Sequence, residues 1–299
     1  MGTLDYRGLA VLDAVAASGS FEKAALALGI SQSAVSQRIK ALEDAAGRLL
    51  VVRGTPSAPT GLGQRLVLHY RHVMLMEAAL DIDLGRTPSL PSLTVALDGD
   101  SLAGWFGAAL PALLSPPRCQ LSLQLADSGA ALALVREGAV FACVAAQGEA
   151  GGTDPANGTT ASALGVQRYL CVATPVFAGH WFGDGFTAAA VALAPAVDSE
   201  RQLLSRFLVQ QFGAVGVFPQ HCLPVASAQA GCILAGVAYG LLPEAQAEEG
   251  LAAGRLVTLG PDSGYELSLA WHAWNIDTPF TRALSEHIIA TARRHLRQP

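Results

Sequence analysis

Residues 31–40 place small and hydrogen-bonding side chains where a helix would bring them against the edges of bases. Four of them recur at the spacing i, i+3, i+4 and i+7 and would share one helix face: Ser33, Ser36, Gln37 and Lys40. Serine lets a helix approach base edges closely, and the amides of Gln32 and Gln37 offer the paired donor and acceptor that read adenine. The pattern favours contact with the major groove of DNA. The alternative is an ordinary helical hairpin whose polar face is solvated.

Residues that typically begin and end helices divide the sequence around these four residues into short helices. Phe21–Leu28 has helical apolar spacing and ends at Gly29, a residue suited to the left-handed position after a helix. Ser31 is a suitable N-cap for the helix that follows. Two short helices joined by a tight glycine turn are typical of a helix-turn-helix. The apolar run at 49–53, followed by two prolines, predicts a strand and a wing.

The charge of the chain is unevenly distributed. The net charge is −5 over 299 residues, yet residues 31–65 hold five Lys/Arg against two Asp/Glu. Salt screens exposed charges beyond about 10 Å, so phosphate binding needs local positive charge rather than a basic chain. The composition therefore fits a small basic head on an acidic body.

Several other classes of protein are disfavoured. No apolar run reaches the roughly 18 residues of a membrane span, and the acidic first residues do not resemble a signal peptide. The five scattered cysteines predict neither a disulfide framework nor a zinc site. The sequence also lacks the H-E-x-x-H, phosphate-loop and G-x-S-x-G signatures of common enzymes. We therefore expect a cytoplasmic protein that is not an enzyme and has no cofactor or metal site.

One long helix is predicted over residues 62–84. Apolar residues on it keep a heptad seam interrupted only by Glu77, and a second apolar line runs beside the seam. The seam holds Leu66, Tyr70, Val73, Leu80 and Leu84, and the second line holds Leu68, Leu75 and Ile82. A helix that is apolar on two sides must pack on something, and a partner chain is the simplest candidate. The alternative is burial against its own body.

Beyond a Pro- and Ser-containing linker at 85–92, strand-like and helical segments alternate. The strand-like runs lie at 93–97, 121–125, 140–145, 169–173, 191–197, 222–226, 237–242, 256–259 and 267–271. This alternation predicts a parallel sheet covered by helices.

Acidic and hydroxyl residues follow three of these strands at points where helices are predicted to begin. The pairs are Asp100 with Ser101, Asp127 with Ser128, and Asp198 with Ser199. Free backbone N–H groups and the hydroxyl of Ser101 would bind the carboxylate of a small ligand, and the acids would hold a cationic tail. The alternative is that these residues only cap their own helices.

Residues 4–64 resemble the winged helix-turn-helix of LysR-type transcriptional regulators. The resemblance is dense over Phe21–Lys40 and continues through residues 41–43, 47, 50–53 and 59–63. It extends along the chain toward the ArgP/LysG-like (IciA) branch, which regulates the export of basic amino acids. The residues that point to this branch are 33–40, 52–53, 100–103, 105, 184–187, 243 and 271–272.

The resemblance implies an α/β protein of three parts. These are a winged helix-turn-helix DNA-binding domain at 1–61, a linker or dimerisation helix and hinge at 62–89, and a C-terminal effector-binding domain at 90–299. The last would be a two-lobed, periplasmic-binding-protein-like (type 2) domain, with lobe I at about 90–165 and 270–299 and lobe II at about 166–269. The implied DNA contacts are Ser31, Gln32, Ser33, Ser36, Gln37, Arg38 and Lys40 in the recognition helix, with Arg53 and Thr60 in the wing. The implied effector contacts are Asp100, Ser101, Leu102, Asp127, Ser128, Asp198, Ser199, Ala226 and Ser227.

The implied function is sequence-specific transcription regulation through double-stranded DNA. The regulator would be a homodimer or homotetramer controlled by a small carboxylate-bearing effector such as a basic amino acid, and would act on an amino-acid exporter or metabolism gene. Two departures bear on the effector: residues 225–230 lack the acid and the aromatic residue usual in this branch, and Ala126 replaces an acid often found beside Asp127. Both count against lysine or arginine as the effector, and the missing acid of residues 225–230 favours a neutral amino acid. The alternative function is a ligand-independent DNA-organising or replication-origin-binding protein.

Overall fold

The computed structural model describes residues 4–86, 92–115, 119–148, 158–199, 202–213, 216–224, 226–260 and 264–298, with the backbone alone at 82, 83 and 226. The hinge expected at 87–89 lies outside the described residues. The N-terminal head contains α1 (Tyr6–Ser18), α2 (Phe21–Leu28), α3 (Gln32–Ala46), β1 (Val51–Val52) and β2 (Ala58–Pro59), and α4 (Gly61–Asp83) follows it.

The helix ends in the head follow the local signals in the sequence. The backbone of Gly29 is left-handed after α2, with φ 65°. The hydroxyl of Ser31 accepts a hydrogen bond from the amide of Ala34 and caps α3. The helices bury their apolar faces in one small core that includes Leu12 and Ile39. The predicted helix-turn-helix and wing are therefore both present.

Helix α4 packs on two parts of its own chain. Near its start, Leu66 and Tyr70 pack against the core of the head. Further along, Leu75 is buried in the core of the C-terminal part. The last turns expose a line of large apolar side chains: Met76, Leu80 and Leu84. Half of the predicted seam is thus covered by its own body, and its far end is open.

The C-terminal part alternates strands and helices. In chain order it contains β3 (Ser92–Leu97), α5 (Gly99–Ser101), a π-helical stretch at Leu102–Phe106, α6 (Gly107–Leu114), β4 (Gln120–Leu125), α7 (Ser128–Arg136), β5 (Ala142–Ala146) and β6 (Thr159–Ala173). It continues with α8 (Pro175–Trp181), α9 (Ala188–Val191), β7 (Ala196–Asp198), α10 (Leu203–Phe212), β8 (Gln220–Cys222) and α11 (Ala226–Leu234). The remaining elements are β9 (Gly240–Pro243), α12 (Glu244–Ala252), β10 (Val257–Thr258), β11 (Gly264–Trp274) and α13 (Pro279–His295).

The main sheet is mixed, so the expectation of a parallel sheet is wrong in part. Its order is β10-β6-β11-β5-β3-β4, with β9 also paired to β6. β3 runs parallel to β4 and β5, and β7 runs parallel to β8. The long strands β6 and β11 instead pair antiparallel with each other, and β11 also pairs antiparallel with β5. The periodicity of an apolar run reports burial and does not report which strand lies beside it.

Several strand boundaries also differ from the prediction: the runs at 169–173 and 267–271 are parts of the longer β6 and β11, and three further runs are displaced. The run at 191–197 ends a helix before β7 begins, because the hydroxyl of Thr187 caps α9. The run at 222–226 is divided between the end of β8 and the start of α11, and the run at 237–242 becomes strand only from Gly240.

Strands β6 and β11 pair along almost their whole length. Their register shifts between Leu269 and Ala270, opposite Gly165, whose backbone has φ 132°. A Cβ at Gly165 would lie 2.7 Å from the carbonyl oxygen of Arg297, so the chain needs glycine at this bend. We call lobe I the described residues of 92–165 and 270–298, and lobe II those of 166–269. One apolar core runs through both lobes. Among the described residues, no helix is both long and apolar enough to cross a bilayer.

Candidate DNA interface and candidate effector cleft

Helix α3 presents the predicted polar stripe to solvent. Ser33, Gln37 and Lys40 are exposed and Ser36 is half-buried, while Gln32 and Arg38 are also exposed beside them. The opposite face is buried, with Val35, Ile39 and Leu42 in the core of the head. Ser31 is exposed, but its hydroxyl already caps the helix. The helix therefore offers solvent a face of small and hydrogen-bonding groups backed by a fixed apolar face.

The wing is held against α3 by a residue that the sequence argument did not identify. Oε1 of Glu43 accepts hydrogen bonds from the backbone amides of Leu50, at 2.8 Å, and Val51, at 3.3 Å. The guanidinium of Arg53 lies over the ring of Phe21, 5.1 Å from its centroid. This cation–π contact holds an exposed positive charge between α2 and the wing. Glu43 is one of only two acids in the basic segment 31–65, and that was the available signal for it.

Thr60, the second residue implied for the wing, is hydrogen-bonded within the protein. Its hydroxyl donates to the carbonyl oxygen of Leu49, at 2.9 Å, and accepts from the amide of Gly63, at 3.1 Å. A Cβ at Gly63 would collide with the carbonyl oxygen of Leu50. Thr60 and Gly63 therefore join the wing to the first turn of α4. The DNA contact implied for Thr60 stays a prediction, and the hydroxyl itself is engaged within the protein.

At the C-terminal end of β3, the carboxylate of Asp98 accepts hydrogen bonds from the groups that were expected to bind a ligand. Asp98 is buried, and its Oδ1 accepts hydrogen bonds from the amides of Asp100 and Ser101, each at 3.0 Å. The hydroxyl of Ser101, which is fully buried, donates to Oδ2 of Asp98 at 2.8 Å. The amides and the hydroxyl that were expected to be free for a ligand carboxylate are therefore engaged. The prediction of a free carboxylate-binding end at Ser101 is corrected to a cap formed by Asp98.

The second strand end combines one exposed and one buried group. Asp127 is exposed, and its Oδ1 accepts from the amide of Ala130 at 2.8 Å, which caps α7. Ser128 is buried, and its Oγ accepts from the amide of Ala146 at the end of β5. Because β3, β4 and β5 are parallel, these groups and Asp98 lie at one edge of lobe I.

In lobe II, Asp198 is a buried structural group. Its two carboxylate oxygens accept hydrogen bonds from the amides of Ser199, Leu204 and Ser205 and from the hydroxyl of Ser205. Burial raises the pKa of Asp198 above its ordinary value, although these hydrogen bonds act in the opposite direction. The expectation that this acid faces a cationic ligand is not met. Ser199 is half-buried and Ser227 is exposed, whereas the side chain of Ala226 lies outside the described residues.

Asp100 takes part in a contact between the two lobes. Its Oδ2 accepts from the hydroxyl of Tyr169 at 3.0 Å, and that hydroxyl accepts from Nε2 of Gln167 at 3.1 Å. Beside them is a cavity of about 210 Å³ whose wall includes Arg168 and Glu244. Arg168 donates to Glu244 at 3.1 Å. Leu102, half-buried next to Ser101, packs against the apolar core. No local pattern in the sequence indicated Tyr169 or Glu244.

Comparison with known families accounts for both parts of the chain. The family described as "Bacterial regulatory helix-turn-helix protein, lysR family" matches residues 6–64. The family described as "LysR substrate binding domain" matches residues 87–293.

Similar proteins and structures span almost the whole chain. The HTH-type transcriptional regulator ArgP of Pseudomonas aeruginosa is 39% identical over 294 residues, covering 96% of each chain. ArgP of Aeromonas salmonicida is 37% identical, covering 99% of each chain. The crystal structure of ArgP from Mycobacterium tuberculosis is similar with a TM-score of 0.85 and 31% identity, covering 99% of this chain and all of that one. Full-length LysG from Corynebacterium glutamicum with bound effector Arg is similar with a TM-score of 0.75 and 32% identity, covering 98% of this chain and all of that one.

Proposed function

The chain belongs to the LysR family of bacterial regulatory helix-turn-helix proteins and is a DNA-binding transcription regulator; on that premise we propose which residues read DNA and what the protein senses. Helix α3 reads bases in the major groove through the exposed stripe of Ser33, Ser36, Gln37 and Lys40. An amino acid bound between the two lobes controls this reading.

The DNA proposal is carried by the polarity of α3. Every polar residue of the stripe points away from the head, while Val35 and Ile39 are almost completely buried on the other side. Arg53 stays exposed over Phe21 and contacts the phosphate backbone. Ser31 and Thr60 position α3 and the wing, because their hydroxyls are engaged in caps.

The sensing proposal depends on acidic and hydroxyl side chains of the two lobes that are exposed or half-buried near the ends of the strands. Asp127 is exposed and Asp100 is half-buried on lobe I, while Ser199 and Ser227 lie on lobe II. The two acids hold a cationic group of the effector, and Ser101 and Asp198 support the backbone around it. L-arginine is the first candidate because the similar LysG structure contains effector Arg. The missing acid in residues 225–230 makes neutral amino acids the necessary comparison.

Assembly follows from the open end of α4. Met76, Leu80 and Leu84 recur every four residues and are all more than half exposed. We assign this line to a second copy of the chain, in a homodimer or homotetramer whose two heads read related half-sites. The domain limits 1–61, 62–89 and 90–299 fit this arrangement, and the register shift opposite Gly165 supports the proposed division of the last part into two lobes.

A binding experiment with the full chain tests the proposal. The affinity for DNA from upstream of its own gene is measured by mobility shift alone and with L-arginine, L-lysine or a panel of neutral amino acids. Calorimetry with the same compounds reports direct binding. We expect one amino acid to bind and to change DNA affinity, and the regulated gene to be an amino-acid exporter or metabolism gene. DNA binding with no response to any compound would instead favour a ligand-independent DNA-organising protein.

A further inference from the structure

A single side chain of the linker helix touches both the DNA-binding head and lobe I. Nε of Arg71, on α4, lies 2.7 Å from Oδ1 of Asp13 on α1. Nη1 of the same guanidinium donates to the carbonyl oxygens of Gly138, at 3.4 Å, and Ala139, at 3.2 Å. Those carbonyls belong to the loop that follows α7. Asp13 thus orients the guanidinium, and the guanidinium holds lobe I.

The carbonyls that Arg71 binds lie beyond the C-terminal end of a helix. The amide of Gly138 donates to Val135 and that of Ala139 to Leu134, which closes the last turn of α7. The C-terminal end of a helix carries a partial negative charge and unpaired carbonyls, so a guanidinium is favourable there. Arg71 therefore adds a cation from another domain to this end of α7, whose own last turn contains Arg136.

The surrounding contacts show that α4 approaches this loop closely at few points. A Cβ at Gly138 would lie 2.7 Å from Cδ1 of Leu68, and its backbone has φ 70°. The ring of His72 meets Trp274 edge-on, with centroids 5.0 Å apart. Nε1 of Trp274 donates to the carbonyl oxygen of Val135, also at the end of α7. Beside these contacts lies a cavity of about 470 Å³ whose wall includes Asp13, Arg71 and Trp274, and Leu75 of α4 is buried further along in the core of the C-terminal part.

The opposite end of α7 lies at the proposed effector cleft. The helix has nine residues, Ser128–Arg136, and so spans about 14 Å. Its first turn is capped by Asp127 and tied to the end of β5 through Ser128. Its inner face is buried at Ala131, Leu132 and Val135, and a close-packed interior of this kind transmits strain from one end of a helix to the other.

We propose that α7 carries the state of the cleft to Arg71, and that Arg71 is the positioning residue through which lobe I sets the orientation of the DNA-binding head. A ligand that binds at Asp127 shifts the start of α7. The carbonyls at its far end then shift against Arg71, which is fixed to the head by Asp13. This inference rests on the sensing proposal above, and it names the route by which that site acts on DNA.

The test measures the coupling between effector and DNA in the full-length protein. Coupling is the ratio of the Kd for upstream DNA without and with saturating L-arginine, and it is typically about 5- to 150-fold in allosteric proteins. We expect Arg71→Gln to bind L-arginine and DNA separately as the wild type does, with a coupling ratio that falls to about one. The matched control is Arg86→Gln, which removes an exposed arginine beyond α4 that pairs with Asp81. The control retains the wild-type ratio.

A charge exchange separates positioning from simple stabilisation of the head. The double variant Asp13→Arg with Arg71→Asp restores an ion pair between α1 and α4, but an aspartate at 71 has no N–H to donate to Gly138 and Ala139. We expect this variant to recover the thermal stability of the head without recovering coupling. Arg71→Lys, which keeps a donor and the charge, recovers part of the coupling.

Each outcome decides the inference. Full coupling in Arg71→Gln, or recovery of coupling by the charge exchange, overturns it. If L-arginine binds the wild-type protein but leaves DNA affinity unchanged, the route through Arg71 is wrong while the effector site stands. If neither L-arginine nor any other amino acid in the panel binds, the sensing proposal fails and this inference fails with it.

Discussion

The hydroxyl of Tyr169 donates a hydrogen bond to Oδ2 of Asp100, 3.0 Å away. Asp100 lies in α5 of lobe I, and Tyr169 lies in the half of β6 that belongs to lobe II. The bond therefore ties the two lobes beside the strands that connect them. One of the two acids proposed to meet the effector is at the same time part of the contact between the lobes.

This contact predicts a measurable contribution to stability. Tyr169→Phe removes the donor to Asp100 and the acceptor for Gln167, and should lower the free energy of unfolding by about 1–2 kcal/mol. Tyr265→Phe is the matched control, because Tyr265 pairs with Tyr169 across β11 and β6. Urea unfolding of both variants measures the difference. Equal stabilities would show that the bond between the lobes contributes nothing in solution.

The head was predictable because its signals are local. A glycine after α2, a serine before α3 and an apolar repeat of helical period lie within about 20 residues of one another, and the structure forms all of them. The cleft was predicted less well because the role of each acid there depends on which groups its carboxylate bonds to. A sequence places an acid at a strand end, but it does not tell whether a capping carboxylate stays exposed, as at Asp127, or is buried with its hydrogen bonds, as at Asp98 and Asp198.

The contacts between domains could not be predicted at all. Tyr169 and Asp100 are 69 positions apart, and Arg71 meets a loop 67 positions away. Neither pair shares a motif or a periodicity. Their proximity follows from the pairing of β6 with β11 and from the packing of α4, which are properties of the assembled fold.

Arg53 gives a prediction specific to phosphate contact. Arg53→Ala should weaken binding to all DNA sequences alike and reduce the slope of log affinity against log salt by about one. Arg86→Ala, another exposed arginine outside the head, should leave the slope unchanged. Mobility shifts over a salt series provide the measurement. A slope that does not respond to the loss of Arg53 would remove it from the interface.

Ser36 gives the complementary prediction for base reading. Ser36→Arg places a long side chain on the face of α3 and should abolish binding to the specific site while the head remains folded, because the serine is not part of the buried core. Ser115→Arg adds the same side chain to an exposed position on lobe I and should not affect binding. Specific binding that survives Ser36→Arg would mean that another face of the head enters the groove.

Leu80 tests the proposed self-association of α4. Leu80→Glu would place a charge within an apolar contact at a cost of a few kcal/mol, and should shift the assembly toward smaller species. Leu26→Glu changes an equally large, exposed leucine on α2 and is the control. Sedimentation without DNA measures the size of the assembly for wild type, Leu80→Glu and Leu26→Glu. A monomeric wild-type protein, or an unaltered oligomer in Leu80→Glu, would contradict the assignment.

Asp198 predicts a large loss of stability from a single substitution. Asp198→Ala leaves the backbone amides of Ser199, Leu204 and Ser205 without their acceptor inside lobe II, whereas the hydroxyl of Ser205 keeps Oε1 of Gln220, and each buried unsatisfied donor costs about 1–3 kcal/mol. Ser205→Ala removes only one of these partners and should cost much less. Thermal unfolding compares the two. Similar melting temperatures for both variants would show that solvent reaches these donors.

His72 predicts how the stability of the chain depends on pH. Burial, and to a smaller extent the charge of His69, lowers the pKa of His72 from 6.5 to about 4. Between these values the unfolded chain binds a proton that the folded chain resists. The stabilising effect of a neutral His72 is therefore complete above about pH 6.5 and is lost as the pH falls toward about 4, with a total of about 1–3 kcal/mol after allowing for partial solvent screening.

The variant His72→Phe keeps an aromatic ring against Trp274 and removes the titration. Its free energy of unfolding should fall less than that of the wild type between about pH 7 and pH 4.5. The neighbouring charged groups, Asp13 and Arg71, are the same in both proteins, so the difference reports His72. His180→Phe, which changes an exposed histidine packed on Trp181 in lobe II, should follow the wild-type profile. Identical profiles for His72→Phe and wild type would show that this ring is already hydrated where α4 meets lobe I.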